Sequence, residues 1–218
     1  MAGSLLNLGG YLGPNGDPCQ YFVSAAADAT TGRNPLFAQG ELGKYFVVQG
    51  TPASIPYTGG LAKNGTRVYQ LVKLDPAATA TFGHNLIWKD YSDYLVTNVG
   101  ATTKQNSSAG LLISGSITAA GAVTSKTIDA VNGNYILMAV DGIFPFMGDA
   151  GAVVIESLIH QGVTTTGLFS ALTPLYVTAV TARVVGVAVT AKATAHQGVT
   201  TAGAYAHGSF HYPKLVSF

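Results

Sequence analysis

Charge is what this sequence has least of. Asp, Glu, Lys and Arg make up only 10% of its 218 residues, against roughly 25% in an average soluble protein. A free monomer usually keeps a charged surface for solubility. Here the surface is either covered by Thr, Ser, Gly, Ala, Asn and Gln, or buried against partners. The first option describes an ordinary β domain and the second an assembly protein. The formal net charge is +1 and no block of Lys or Arg occurs, which removes the electrostatic footprint expected for nucleic acid. Cysteine occurs once, at Cys19, so an internal disulfide is excluded and synthesis in a reducing compartment fits. Long helical patterning is missing too. No segment holds a 3.6-residue period over about ten residues, and only Ala26–Thr30 and Ala77–Thr81 suit short helical turns.

Targeting and membrane signals are equally scarce. Residues 1–13 lack a basic leader region, and Asn7 and Gly9 interrupt their apolar run, so no signal peptide is expected. Mean hydropathy is +0.32, which raises the question of a span. Ser157–Ala182 is uncharged but holds His160, Gln161, Gly162, several threonines and Pro174. That is strand composition, and no membrane partner is expected.

Catalytic and ligand signatures are thin. No HExxH, Asp-x-Asp, calcium loop or G-x-S-x-G occurs, so the chain is not expected to be an enzyme or to carry a cofactor. His207 and His211 would chelate zinc from one helical turn. Gly208 and Pro213 oppose a helix there, and on a strand residues four apart sit roughly 13 Å from each other. Gly60–Thr66 mimics the glycine spacing of a phosphate loop, but Thr66 stands where the lysine is needed. Asn64 and Asn106 open glycosylation sequons by pattern alone.

What is present is a succession of short β signals. Leu86–Trp88, Tyr94–Asn98, Leu111–Ile113 and Tyr135–Val140 are apolar or β-branched runs separated by turn residues. Asn132-Gly133 is the strongest hairpin signal and Asp141-Gly142 a second turn pair. Together they predict an antiparallel meander over Leu86–Gly142, with Trp88, Tyr94 and Tyr135 in the core. Further strands are expected at Lys44–Gln49, Arg67–Leu74, Ile143–Met147, Ala152–Ile159, Leu175–Val180, Ala182–Ala191 and Ala204–Tyr212. Residues 1–40 are rich in Gly, Pro, Asn and Ala. They read either as a loose tail or as an extended arm whose Leu5, Leu6, Leu8, Tyr11 and Leu12 dock on a neighbouring subunit.

The chain also repeats itself. His160–Thr165 and His196–Thr201 are the same hexapeptide, each followed by a glycine (Gly167, Gly203) and an aromatic (Phe169, Tyr205). Gln-Gly suits a tight turn and Val-Thr-Thr a strand start. His160, Gln161 and Gly162, and again His196, Gln197 and Gly198, therefore read as one repeated turn. A histidine bonding its own backbone is the plain account of His160 and His196. The repeat reads as two related strand–turn–strand units; the β domain is expected to span 41–218, as one body or as two related β units, 41–150 and 151–218.

The order of these phrases resembles the capsid decoration (cement) proteins of tailed bacteriophages. The likeness lies in the Trp88-led strand, Tyr94–Asn98, the Ala109-Gly110-Leu111 strand and the Gly133–Gly142 strand. Val184–Val189 with its glycine-containing return strand, Tyr205–His211, extends it. It runs from about Leu86 to the C-terminus and contains no chemical signature. It implies a virion protein made in the host cytoplasm and placed on the capsid surface. The partners it implies are the major capsid protein and, as a dimer or trimer, copies of itself. The fold expected is all-β: an antiparallel barrel or sandwich, jelly-roll or β-tulip-like, with an extended N-terminal arm. A β-rich adhesion or fibre module of a cell or phage surface is the alternative.

Overall fold

In the computed structural model, residues 21–27, 41–49, 66–100, 107–117, 123–149, 151–162, 167–172, 184–192 and 205–212 are described. The candidate arm residues Leu5, Leu6, Leu8, Tyr11 and Leu12, the second repeat copy at His196, Gln197 and Gly198, and the expected strand Leu175–Val180 lie outside them.

The all-β expectation is borne out. Thirteen strands occur among the described residues: β1 Phe22–Ser24, β2 Tyr45–Gln49, β3 Thr66–Leu74, β4 Asn85–Asp90, β5 Leu95–Thr97, β6 Ser108–Leu111, β7 Gly115–Ile117, β8 Val123–Ser125, β9 Asn134–Met147, β10 Leu158–Gln161, β11 Phe169–Leu172, β12 Val184–Ala188 and β13 Tyr205–His211. β7 and β8 form their own two-stranded sheet, and the rest belong to one large sheet.

β9 is the spine of that sheet. Over Asn134–Asp141 one of its edges pairs with β3. Its other edge is taken in turn by β1, by β6 at Ala139 and by β13 from Asp141 to Met147. Strands β3, β9, β6, β4 and β5 close into a five-strand barrel. Every junction is antiparallel except β3–β5, where Lys73 and Leu74 run parallel to Leu95 and Val96. The interior is mainly aliphatic, with Val72, Leu74, Leu86, Val96, Ile136 and Met138 buried on the face opposite Lys73 and Leu95.

Beyond Asp141, β9 leaves the barrel and starts a second sheet, β9–β13–β12–β10–β11. This sheet curls until Phe169 of β11 bridges Gly148, just past the end of β9. Its interior is aromatic. Phe146 meets Phe169 and Phe210 edge-on at 5.4 and 5.6 Å, and Phe210 stacks on Tyr212 at 5.8 Å.

Several sequence expectations shift for identifiable reasons. Asp141-Gly142 is not a turn. Gly142 has φ +123° and a Cβ there would press on Thr66 O at 3.0 Å. The glycine lets the strand continue while it changes partners from β3 to β13. Pro145 is tolerated inside β9 because the β3 ladder has already ended there. Asn132-Gly133 turns the chain but joins no hairpin, since β8 pairs with β7 and not with β9. Asp129 organises that turn. Its carboxylate accepts from Ser24 Oγ, which ties it to β1, and from the Asn132 and Val131 amides. These bonds, the Ser24 hydroxyl first, hold its pKa well below the usual carboxylate range. The expected meander has an altered order: β4 lies between β5 and β6, so β5 is free to close the barrel against β3.

Candidate interaction surfaces

Two surfaces and one buried junction stand out among the described residues, and Tyr94, Tyr135, His160 and Gln161 fall within them. The first surface is a groove outside the barrel where β9, β3 and β5 lie side by side. Tyr135 pairs with Lys73, and Lys73 with Leu95, so these side chains share a face. Ser92, Asp93 and Tyr94 of the turn before β5, with Leu42, complete the walls of a cavity of about 420 Å³ lined by Leu42, Lys73, Ser92, Asp93, Tyr94, Leu95 and Tyr135.

Local chemistry fixes this turn. Asp90 Oδ1 accepts from the Ser92 amide at 2.8 Å and the Ser92 hydroxyl at 2.7 Å, an Asx-type closure. Tyr94 has φ +49°, uncommon for a bulky residue and costing on the order of 1–3 kcal/mol. Its carbonyl accepts the Lys73 amide at 3.0 Å. Its ring lies over Gly43, where an added Cβ would stand 2.2 Å from Tyr94 Cζ. Only glycine lets the ring sit there. Trp88 is 5% exposed and supports both neighbours, Tyr91 at 5.4 Å and Tyr94 at 6.5 Å between ring centroids. Of the three expected core residues, Trp88 and Tyr135 are buried, while Tyr94 is half-buried in the groove wall.

The second surface is the outward face of the curled sheet. Leu172, Leu158, Val187, Ser209 and Ile143 are successive cross-strand partners over β11, β10, β12, β13 and β9. They form one row, with Val187 and Ser209 exposed and the others half-buried. Val154 and Ile155 are exposed in the segment leading into β10, beside the end of β12, where Glu156 N donates to Ala188 O. At the β9 edge of this sheet His211 Nδ1 lies 2.9 Å from Asp141 Oδ2.

The first repeat copy serves the junction between the two sheets. His160 and Gln161 are not in a turn; they close β10 with both side chains buried, and the Gly162 amide just past the strand donates to Leu168 O. His160 Nδ1 lies 2.8 Å from Gln161 O. A carbonyl only accepts, so Nδ1 carries the proton. Gln161 Oε1 accepts from Asn85 Nδ2 at 3.1 Å and Ser108 Oγ at 3.0 Å, and Tyr212 OH donates to Asn85 Oδ1 at 3.1 Å. Burial pushes the Tyr212 phenol well above its usual pKa. This polar set joins β4 and β6 of the barrel to β10 and the end of β13. Gln161 Nε2 has no hydrogen-bond partner among the described residues.

His84 borders the same junction. Its Nε2 lies 3.0 Å from Thr81 Oγ1 and 3.2 Å from Met147 Sδ. Burial pushes its imidazole down to about 4, so it is neutral at physiological pH. His207 and His211 are on strand β13, His207 buried and His211 exposed. Among the described residues no three His, Cys, Asp or Glu side chains come together as a metal set. No described helix is long and apolar enough to cross a membrane.

Sequence reasoning passed over Tyr91, Asp93 and Lys73. A signal for the first two was present: Trp88–Tyr94 packs Lys89, Asp90 and Asp93 among aromatics in a chain otherwise short of charge. Nothing in the sequence announced Lys73, whose place in the groove depends on the parallel β3–β5 register. No protein-family model matches this chain, and no curated protein is detectably similar to it.

Proposed function

We propose that this chain is a structural virion protein, a decoration protein that binds the outer surface of a tailed-phage capsid and stabilises it by bridging coat subunits. The observation that carries the reading is the apolar row across the curled sheet, Leu172–Leu158–Val187–Ser209–Ile143, on a chain with so little charge. A sheet face of this kind gains from burial against another protein. The strand phrases that resemble decoration proteins supply the type of partner, the major capsid protein. Stabilisation then follows from multivalency, each weak contact made effectively intramolecular by the others. Self-association as a dimer or trimer, with the N-terminal arm contributing contacts, belongs to the same proposal.

The test is co-sedimentation with expanded phage capsids stripped of decoration, at low and high salt, followed by heating. Attachment that survives salt and raises the capsid melting temperature is expected, because few charges contribute long-range attraction. Failure to pellet with any coat lattice overturns the proposal. The aromatic groove favours a second reading, an adhesion or fibre module, which would bind cells rather than capsids.

A further inference from the structure

We infer that Asn132 is a self-modification site, made reactive by Gly133 and held in check by Asp129 and β1, a property independent of capsid attachment. The chemistry is that of an Asn-Gly pair. The Gly133 nitrogen attacks Asn132 Cγ and a succinimide ring forms. The Cγ–Nδ2 bond breaks, and the amide nitrogen leaves as ammonia with the proton that the Gly133 nitrogen gives up. Water then opens the ring at either carbonyl, leaving aspartate or isoaspartate. Glycine is the most permissive successor to asparagine here, because no Cβ shields its nitrogen. The fold cannot dispense with that glycine. Gly133 has φ +73°, and an added Cβ would stand 2.1 Å from Leu74 O. The turn into β9 therefore imposes the reactive pair.

The same turn restrains both reacting groups. Gly133 N donates to Asp129 O at 2.8 Å, so the proton of the attacking nitrogen is engaged. Asn132 Nδ2 donates to Asp129 Oδ2 at 3.2 Å and Asn132 N to Asp129 Oδ1 at 3.0 Å, which ties the leaving amide to a carboxylate. Attack requires both sets of bonds to open together. β1 secures them from outside: Ser24 Oγ donates to the Asp129 carboxylate, and Ala25 N donates to Gly133 O at 2.9 Å. Asn132 is only half-buried, so water reaches the ring once it forms. Conversion runs one way and changes the turn. Aspartate at 132 lacks the Nδ2 donor and sets a like charge beside Asp129, and isoaspartate adds a methylene to the backbone. Either product weakens the grip on β1.

The experiment holds full-length protein in mildly alkaline buffer and follows Asn132 by proteolysis and mass spectrometry that separates asparagine, aspartate and isoaspartate. The same chain unfolded in guanidinium chloride is the reference. Native protein should convert about a hundredfold more slowly than the unfolded chain, since two sets of bonds must open first. Asp129→Ala keeps the backbone carbonyl but removes the carboxylate, and should convert about tenfold faster than wild type. Ser24→Ala should accelerate conversion to a lesser degree, and it decides alone if the melting curve shows Asp129→Ala unfolded. Hydrogen exchange in β1 should be faster in the converted protein than in fresh protein. Conversion of native wild type at the unfolded rate, no acceleration in the folded variants, or unchanged β1 exchange after conversion would each overturn the inference.

Discussion

The two sheets that share β9 are closed in different ways. The barrel of β3, β9, β6, β4 and β5 is closed by pairing of neighbouring strands all round, down to the two-pair parallel β3–β5 junction and the one Leu111–Ala139 pair between β6 and β9, around a mainly aliphatic interior. Among the described residues the curled sheet closes on one isolated bridge, Gly148 to Phe169, around four aromatic rings. It also carries the outward apolar row. A ladder-closed barrel leaves few unpaired backbone groups and resists opening. A sheet closed by one bridge depends on side-chain packing, and its outer face is available to a partner. The barrel is thus the frame, and the curled sheet is the surface it presents.

The comparison predicts unequal responses to mutation. Trp88→Ala empties a buried site of the frame and should cost about 3–5 kcal/mol in denaturant unfolding. An unchanged midpoint would put Trp88 outside the core. Phe210→Ala should cost a similar amount, but hydrogen exchange should speed first in β10–β13, with β3–β6 still protected. Uniform loss of protection would mean that both sheets open as one unit.

Acid probes the seam between them. The His84 imidazole titrates near 6.5 in the unfolded chain and at about 4 in the folded one. Between those values the unfolded state binds the extra proton, so stability rises with pH across the window. It is fully present above 6.5 and falls by up to roughly 3 kcal/mol as pH drops to 4. His84→Gln should flatten that slope, and an unaltered slope would assign it to other groups. Gln161→Leu leaves Asn85 and Ser108 without their acceptor and should cost about 1–3 kcal/mol. A neutral result would show that the junction reorganises around the loss.

Legibility in the sequence followed the range of the interaction. Strands carried by local apolar runs, such as Leu86–Trp88 and Arg67–Leu74, were readable within a residue or two. Glycine was ambiguous: at Gly142 it serves a partner change inside a strand rather than a turn, and a positive φ suits either. Ala152–Ile159 looked like one strand, yet β10 begins only at Leu158, after Glu156 at φ +68°. The surfaces were harder still. The Tyr135–Lys73–Leu95 row and the Leu172–Leu158–Val187–Ser209–Ile143 row join residues from distant strands, and only register brings them together. The repeat signalled that Gln161 matters, but its role in the seam required knowing that Asn85 and Tyr212 arrive beside it.

The smallest stability effect carries the most functional weight. Val187→Asp with Ile155→Asp alters only exposed positions of this surface and should change the melting temperature little, within about 0.5 kcal/mol per exposed site. The decisive measurement is the capsid occupancy of this double variant beside wild type and a Val131→Asp control, which alters the 81% exposed Val131 on the frame. Wild type and the control should pellet with undecorated capsids at low and high salt, while the folded double variant stays in the supernatant. Equal occupancy by the double variant would contradict the assignment of the curled sheet as the docking face.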